Sequence, residues 1–317
     1  MARINYTELD WREAILLGSA LENGLVSAVV EKPCTVSEVA DMLGLDRRAV
    51  YVVLSALAEI GLMEETRKGF LLVGEHRGPL LEQDHVDYVG ASVVHRFGLI
   101  SSWSRMPEIL KSGDPVEDRT SPNFSGTPTF IGAMRSGARA GADAVAEALL
   151  PLLPEGATIL DVGGGPGTNA EAFAKSGARV TVFDRPGVIE LMKEPLASAG
   201  IFTETGDMNE TIPDGPFEAI YFGNTSHMYG PDENRRLFGM MRDSLAPGGL
   251  LVVREFVRGM SEDAALFAVN MLVTTARGGT YSAKDYEEWL LGAGFESVEF
   301  APVPGRGTHL ILARNPG

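Results

Sequence analysis

The pattern of apolar and polar positions changes character near residue 150. Before it, apolar residues recur at steps of three and four, which predicts amphipathic helices. The first such face contains Trp11, Ile15, Gly18, Leu21 and Leu25. From residue 157, short apolar runs alternate with helical patterns, which favours a doubly wound parallel sheet. We therefore predict an α/β protein with three regions, at residues 1–75, 76–150 and 151–317.

The first region predicts three helices followed by a hairpin. Thr35 and Glu38 have capping-box spacing, and Asp46 precedes a helical pattern that stops at Gly61. Apolar residues on both sides of a polar turn then predict a β-hairpin over residues 62–73. Helices followed by a hairpin are typical of a winged helix.

Charge argues against DNA as the partner of this winged helix. Residues 1–75 contain 7 basic and 12 acidic residues, and the whole chain has a net charge of −16. DNA binding needs several cations to neutralise phosphates, and an acidic surface also repels anionic membranes. We expect a dimerisation domain instead, and neither a nucleic acid nor a membrane as partner.

Cysteine usage and hydropathy indicate the compartment. Cys34 is the single cysteine, so the chain has no internal disulfide and no cysteine-rich metal site. The amino-terminal residues lack the apolar core of a signal peptide, and no apolar run reaches the roughly 18 residues of a membrane span. We expect a cytoplasmic protein.

A glycine-rich loop with the sequence DVGGGPGT follows the first predicted strand of the third region. Glycine lacks a Cβ, so a ligand can approach the backbone closely there. Gly165, Gly167 and Ala170 also satisfy the loose dinucleotide-binding pattern. Asp184, at the end of the second strand, can bind the ribose hydroxyls of either cofactor class. The loop thus predicts a ribose-bearing cofactor and leaves a nicotinamide-dependent oxidoreductase open.

Further residues favour a cofactor with a cationic amino-acid tail over a dinucleotide. Asp161, just before the glycines, would repel a pyrophosphate but suits a cation. After the third strand, Asp207 can accept the amino group of adenine and Met208 can pack on its ring. Asn224 follows the fourth strand, in a segment where polar groups can face the cofactor.

These residues make the chain resemble the small-molecule O-methyltransferases of plants and antibiotic-producing bacteria. That family includes caffeic acid O-methyltransferase, acetylserotonin methyltransferase and polyketide-tailoring methyltransferases. The resemblance runs nearly end to end, through the amino-terminal region and the segments DVGGGPGT, VFDRP, GDM and LAPGGLLVVREF. In the last segment, LAPGG is expected to form a turn before the fifth strand. It implies a class I methyltransferase fold, Rossmann-like with a seven-stranded, mostly parallel sheet. It also implies an amino-terminal winged-helix dimerisation domain, a homodimer and S-adenosylmethionine as cofactor.

The resemblance assigns roles to individual residues. Gly163 and Gly165 would approach the methionine part, Asp184 the ribose, and Asp207 with Met208 the adenine. The acceptor would be a small molecule, and its pocket would be lined by residues at the positions that line the pocket in the family. These are Trp103, Phe130, Met134, Asn270 and Met271. The sequence shows no metal-ligand spacing such as C-x-x-C or H-x-x-x-H, so we predict no metal site.

The resemblance also makes His227 the general base. A hydroxyl is a poor nucleophile until it loses its proton, and histidine accepts protons near neutral pH. Glu255 matches one glutamate that orients the base in the family, whereas Thr280 stands near the place of a second. Because of this departure, methylation at carbon or nitrogen without a required base stays open. So does a non-catalytic regulator that senses a ligand.

Overall fold

The computed structural model describes residues 5–6, 8–121, 128–303 and 307–317. Its internal contacts divide the chain into two units. One contains Met1–Ser104 with Gly132–Ser136, and the other contains Arg105–Ile131 with Gly137–Gly317. The three predicted regions, with boundaries at 75 and 150, stay a prediction beside this division.

The first unit is mainly helical and has one hairpin. Its helices are α1 (Trp11–Glu22), α2 (Leu25–Ala28), α3 (Val36–Leu43), α4 (Arg47–Glu59), α5 (Arg77–Leu81) and α6 (Gly90–Trp103). Its strands β1 (Met63–Thr66) and β2 (Gly69–Leu72) pair antiparallel. The predicted caps are present: Thr35 and Glu38 form a reciprocal capping box on α3, and Asp46 accepts from Ala49 N on α4.

The buried face of α1 differs from the predicted one. Trp11 is 67% exposed, and the fully buried positions are instead small residues and one leucine: Ala14, Leu17 and Ala20. Gly18 lies so close to α6 that a Cβ there would collide with Phe97. The close approach of α6 therefore selects a face of small side chains, which the spacing of large apolar residues did not reveal.

The second unit contains the remaining elements. Its helices are α7 (Met106–Ser112), α8 (Pro128–Leu149, of which residues 132–136 group with the first unit), α9 (Thr168–Lys175), α10 (Pro186–Ser198), α11 (Pro231–Ser244), α12 (Ala264–Thr274) and α13 (Ala283–Gly292). Its strands are β3 (Thr158–Val162), β4 (Arg179–Asp184), β5 (Phe202–Thr205), β6 (Phe217–Gly223), β7 (Leu245–Glu255), β8 (Val298–Pro302) and β9 (His309–Arg314).

These strands form one seven-stranded sheet in the order β5-β4-β3-β6-β7-β9-β8. Strands β3 to β7 run parallel, and β9 runs antiparallel to both of its neighbours. The chain moves outward in one direction from β3 to β5, and then in the other from β6. The strand order therefore reverses between β3 and β6, and open α/β sheets bind ligands beyond the carboxyl ends at such a point.

Strand β7 starts earlier than predicted. We expected LAPGG to form a turn before the strand, but Leu245 already pairs with Phe217. The register then shifts, and regular pairing resumes at Leu250 opposite Ala219. Gly248, with φ of 73°, lies in the irregular stretch between them. The proline and glycines therefore form a distortion inside the strand.

Apolar cores cover both faces of the sheet. One contains Ile159, Tyr221 and Val252 with residues of α8, α9 and α10, and the other contains Leu160, Phe222 and Val253 with residues of α11 and α13. These cores hold the strands rigidly, so the loops at their carboxyl ends have fixed starting points. In the described part of the chain, no helix combines the length and the apolar character needed to cross a bilayer.

Candidate active site

The glycine-rich loop between β3 and α9 is pinned to the end of β4. Gly163 N donates to Phe183 O at 2.8 Å, and Gly165 N donates to the Oδ2 atom of Asp184 at 2.8 Å. Gly163 and Gly165 have φ of 66° and 53°, which L side chains rarely adopt. A Cβ on Gly163 would lie 3.0 Å from Cε of Met208 and 3.1 Å from Oγ1 of Thr225. The loop thus brings three predicted cofactor residues, Gly163, Asp184 and Met208, to one place.

Asp161 lies beneath this loop as an uncompensated acid. It is 2% exposed, and its Oδ2 atom has no hydrogen-bond partner among the described residues. Burial, with a smaller contribution from the charge of Asp184, raises the pKa of Asp161 to about 8. A cationic group would satisfy this orphaned oxygen and favour its ionised form. The site therefore fits the amino-acid tail of S-adenosylmethionine.

Asp184 is buried at the end of β4. Its Oδ2 atom accepts from Gly165 N and its Oδ1 atom from Arg185 N at 2.7 Å. Burial raises the pKa of this carboxyl, and the two backbone hydrogen bonds act in the opposite direction. These bonds fix the carboxylate in one orientation at the carboxyl edge of the sheet. Each oxygen retains a further lone pair, which suits a ribose hydroxyl.

Asp207 and Asn224 shape the backbone just after β5 and β6, respectively. The Oδ1 atom of Asp207 accepts from both the backbone N (2.8 Å) and Nδ2 (3.1 Å) of Asn209, so Asp207 closes an Asx turn. Asn224 is exposed, has φ of 53°, and donates its backbone N–H to Arg254 O at 2.8 Å. Asparagine tolerates this left-handed conformation better than most residues. Both residues therefore have a local structural role, whatever ligand they meet.

His227 lies in a short 3₁₀ turn, Ser226–Met228, just after β6. It is 7% exposed, and its Nδ1 atom is 2.7 Å from Oε2 of Glu255. Its backbone N also donates to Oε1 of the same glutamate, at 3.2 Å. Glu255 is fully buried at the end of β7. An ionised carboxylate only accepts hydrogen bonds, so in the tautomer with the proton on Nδ1 the imidazole donates to Glu255 and its Nε2 atom can accept a proton.

Aromatic side chains and a backbone amide complete the surroundings of His227. The Phe267 ring meets the imidazole edge-on, with 4.7 Å between centroids, and stacks on Phe256 at 4.5 Å. Near the position of the family's second glutamate, Thr280 is buried and its hydroxyl donates to Ala264 O. Gly279 N instead donates to His227 O at 2.8 Å. A main-chain contact thus holds the turn on this side.

The predicted acceptor residues fall in both units. Trp103 and Met134 belong to the first unit and are half-buried. Phe130, Asn270 and Met271 belong to the second, where Met271 is buried and the other two are half-buried. The sequence between Thr120 and Pro128 is rich in turn-forming residues, and residues 122–127 of this stretch lie outside the described part.

Sequence reasoning missed the contacts of two residues of this region. Phe267 begins a segment that family position suggests for the acceptor, but its contact with His227 was not predicted. Arg119 lies between two turn-rich stretches, and its guanidinium carbon is 5.1 Å from the centroid of the Phe130 ring. Nothing in the local pattern singled either of them out. Within the described residues, no group of three or more His, Cys, Asp or Glu side chains is arranged to hold a metal ion.

Comparison with known proteins identifies the family. A family model described as a methyltransferase domain matches residues 134–299. The chain is 26% identical to the 3-hydroxy-5-methyl-1-naphthoate 3-O-methyltransferase of Streptomyces sahachiroi, covering 94% of this chain and 90% of the relative. It is also 26% identical to the tetracenomycin polyketide synthesis 8-O-methyl transferase of Streptomyces glaucescens, over 94% and 92%.

A solved structure shows the same fold. Human N-acetylserotonin methyltransferase, crystallised with S-adenosylmethionine, superimposes with a TM-score of 0.74 at 22% identity, covering 96% of this chain and 94% of that one. The predicted class I methyltransferase fold is thereby confirmed. The chain belongs to the methyltransferase-domain family and is an S-adenosylmethionine-dependent methyltransferase whose relatives methylate small molecules at oxygen.

Proposed function

We propose that the protein methylates a hydroxyl oxygen of a small molecule, with His227 as general base. The observation that carries this proposal is the buried pair of His227 and Glu255 at the carboxyl ends of β6 and β7. The two Streptomyces relatives are named for methylation at oxygen of a hydroxynaphthoate and of a polyketide. A base at this edge of the sheet has a clear task only if the acceptor must lose a proton.

The cofactor, when bound, supplies a methyl group already activated on a sulfonium cation. Asp161, Gly163 and Gly165 would hold its amino-acid tail, since Asp161 offers the orphaned carboxylate and the glycines leave the backbone open. Asp184 would bind the ribose hydroxyls. The adenine would lie near Met208, Asp207 and Asn224.

Residues of the chain then accept and hold the proton of the acceptor hydroxyl. Nε2 of His227 accepts the proton of the acceptor hydroxyl, which makes the oxygen nucleophilic. Glu255 holds the imidazole by its Nδ1–H and stabilises the positive charge that forms on the ring. Phe267 and Phe256 cover one side of the imidazole and limit access of water. Positioning the acceptor oxygen next to the methyl group of the cofactor would further accelerate the transfer.

The acceptor would lie against residues of the second unit near α12. Phe130, Asn270 and Met271 are proposed there, with Asn270 as a hydrogen-bonding group. Trp103 and Met134 stay proposals from family position. Methylation at carbon or nitrogen would not require the His227–Glu255 pair, so retained activity after removal of His227 would favour that alternative.

We also propose that the chain forms a homodimer through its first unit. Large apolar side chains stand exposed on that unit, on α1, α3 and α4; they are Trp11, Met42, Tyr51 and Val52. Burial of such residues against a second copy would remove apolar surface from water. A winged-helix dimerisation domain is consistent with the helices and the hairpin of residues 11–72.

The experiment that tests the function combines binding with turnover. S-adenosylmethionine, S-adenosylhomocysteine and NADH are titrated calorimetrically into the wild-type protein and an Asp184→Ala variant. We expect the two sulfur nucleotides to bind, the variant to bind them more weakly, and NADH not to bind. Hydroxylated aromatic acceptors are then screened with a cofactor carrying an isotopically labelled methyl group. Label found on carbon or nitrogen of the product, and none on oxygen, would refute O-methylation.

A further inference from the structure

Arg119, in the segment before α8, has no role in the mechanism proposed above. Val116 N donates to Val273 O at 3.1 Å, and Arg119 N donates to Thr274 O at 2.9 Å. Asp118 Oδ1 accepts from Ala276 N at 3.3 Å. Three hydrogen bonds therefore fix Arg119 beside the last turn of α12.

The segment that contains Arg119 is connected to the candidate active site on two sides. From α12 the chain continues to Gly279, whose backbone N donates to His227 O at 2.8 Å. On the other side, Ser121 O accepts from Nη1 of Arg185 at 3.3 Å, and Arg185 directly follows Asp184. Arg119 is thus attached between the segment that supports the base and the strand end that carries the proposed ribose ligand.

The described surroundings of Arg119 leave the Nε donor of its guanidinium unused. Its guanidinium carbon lies 5.1 Å from the centroid of the Phe130 ring, a cation–π contact. Its Nε atom is buried and has no hydrogen-bond partner, and no carboxylate forms an ion pair with it, among the described residues. Burial lowers the pKa of Arg119, and the charge of Glu117 acts in the opposite direction. A desolvated cation with an unused donor is costly unless an anion binds it.

We propose that Arg119 binds a carboxylate of the methyl acceptor, so that the enzyme prefers acceptors that carry both a hydroxyl and a carboxylate. This inference rests on the proposed O-methylation and names its substrate class. The planar guanidinium fork matches a carboxylate in two parallel hydrogen bonds. Because the chain has a net charge of −16, an anionic acceptor needs a local cation to be favoured.

The cofactor also carries a carboxylate, and the position of Arg119 distinguishes the two sources. Arg119 is fixed to α12, which contains Asn270 and Met271, and it stacks on Phe130; all three are proposed acceptor residues. The amino-acid tail of the cofactor has its proposed place at Asp161 on the glycine-rich loop. We therefore assign Arg119 to the acceptor.

The test uses pairs of acceptors that differ only in charge. A hydroxybenzoate and a hydroxynaphthoate, each as free acid and as methyl ester, are titrated into the protein saturated with S-adenosylhomocysteine. Initial rates of methyl transfer to the same four compounds are measured with S-adenosylmethionine. We expect the wild-type protein to bind the acids about 10- to 100-fold more tightly than the esters. In Arg119→Gln this ratio should fall towards one, with Arg119→Lys in between because lysine retains the charge but lacks the fork.

The matched control is Arg105→Gln, which removes the same charge from an exposed arginine paired with Glu108. It should retain the wild-type preference for acids. A wild-type protein that binds no acid more tightly than its ester would overturn the inference. So would an Arg119→Gln variant that weakens acid and ester equally, or one that weakens only S-adenosylhomocysteine, since the carboxylate would then belong to the cofactor.

The same measurements separate this inference from the proposed function. Equal methyl transfer to acid and ester would leave O-methylation standing and refute the role of Arg119. Arg119-dependent binding of the acids without any methyl transfer would have the opposite meaning: the carboxylate site would stand and the proposed O-methylation would fail.

Discussion

At the scale of single residues, two buried acids of the candidate active site differ in their hydrogen-bond partners. Glu255 is fully buried and is compensated by two contacts from His227. Asp161 is almost as buried, and its Oδ2 atom has no partner among the described residues. In the proposed mechanism, the first carboxylate supports the base and the second receives a cation. The two carboxylates would then have different tasks because their partners differ.

Replacement of His227 by glutamine should remove the proton acceptor without removing the cofactor site. We expect kcat for a hydroxyl acceptor to fall by roughly 10²- to 10⁴-fold, the usual contribution of a general base. Affinity for S-adenosylhomocysteine, measured by calorimetry, should change little. Glu255→Gln should have a smaller effect on kcat, since it removes only the charge that stabilises the protonated ring. Wild-type turnover in His227→Gln would contradict the assignment of the base.

Asp161 should make the stability of the cofactor-free protein depend on pH. Its folded-state pKa of about 8 lies above the value of about 3.9 for an unfolded aspartate. Between these values the folded protein holds a proton that the unfolded chain releases. The free energy of unfolding therefore loses this contribution as pH rises from about 4 to 8.

Asp161→Asn should remove that slope. We expect the stability of the variant relative to the wild type to increase by roughly 3 to 4 kcal/mol between pH 5 and pH 8, measured by urea denaturation without cofactor. The same variant should bind S-adenosylhomocysteine more weakly, since it cannot neutralise the amino group. Parallel stability curves for the two proteins between pH 5 and 8 would refute the raised pKa.

At the scale of elements, boundaries with a local cause were predictable and contacts between elements were not. The caps Thr35 and Asp46 and the stop at Gly61 were read correctly, because capping involves residues only a few positions apart. The buried face of α1 was read wrongly in part, because the neighbour that selects it, α6, begins 68 residues after the last residue of α1. The start of β7 was misplaced because its pairing with Phe217 continues through a distortion.

The cap of α4 gives a prediction at this scale. Asp46→Ala removes the side-chain acceptor of the Ala49 N–H and should lower the free energy of unfolding by about 1 kcal/mol. The control is Asp41→Ala, which removes a nearby exposed carboxylate that only pairs with Arg47. That variant should stay within about 0.5 kcal/mol of the wild type in urea denaturation. Equal losses in the two variants would show that charge, and not capping, is responsible.

At the scale of the whole molecule, two properties are joined in one chain: a strongly acidic surface and a first unit with exposed apolar residues. The net charge of −16 opposes association with other anionic surfaces. Exposed apolar side chains on the first unit favour association with another copy of the chain. The proposed homodimer would bury these side chains. Each copy would retain its own catalytic unit, with its own sheet and apolar cores.

Sedimentation equilibrium should therefore give twice the chain mass of 33.9 kDa at micromolar concentration. Trp11→Glu, at a position 67% exposed, should shift the equilibrium towards the monomer because it places a charge in an apolar contact. Phe202→Glu is the matched control, since Phe202 is 65% exposed but lies on β5 of the second unit. A wild-type protein that sediments as a monomer would refute the dimer.

The sequence by itself determined the fold class, the cofactor and the residues of the glycine-rich loop. Those features depend on short-range rules: strand and helix alternation, glycine at left-handed positions and the acids Asp161, Asp184 and Asp207 near the ends of β3, β4 and β5. The residues Gly163, Asp184 and Met208 could be grouped in advance, since parallel strands end at the same edge of a sheet.

Only the tertiary structure decided which side chains meet across long separations. The family resemblance suggested that Glu255 orients His227, but only the structure shows their 2.7 Å contact, between residues 28 positions apart. Arg119 contacts Thr274 of α12 across more than 150 residues, which no resemblance suggested. The orphaned oxygen of Asp161 and the unused donor of Arg119 likewise exist only because surrounding elements exclude water from them. Burial and partner choice are properties of the packed molecule, and no local pattern in the chain encodes them.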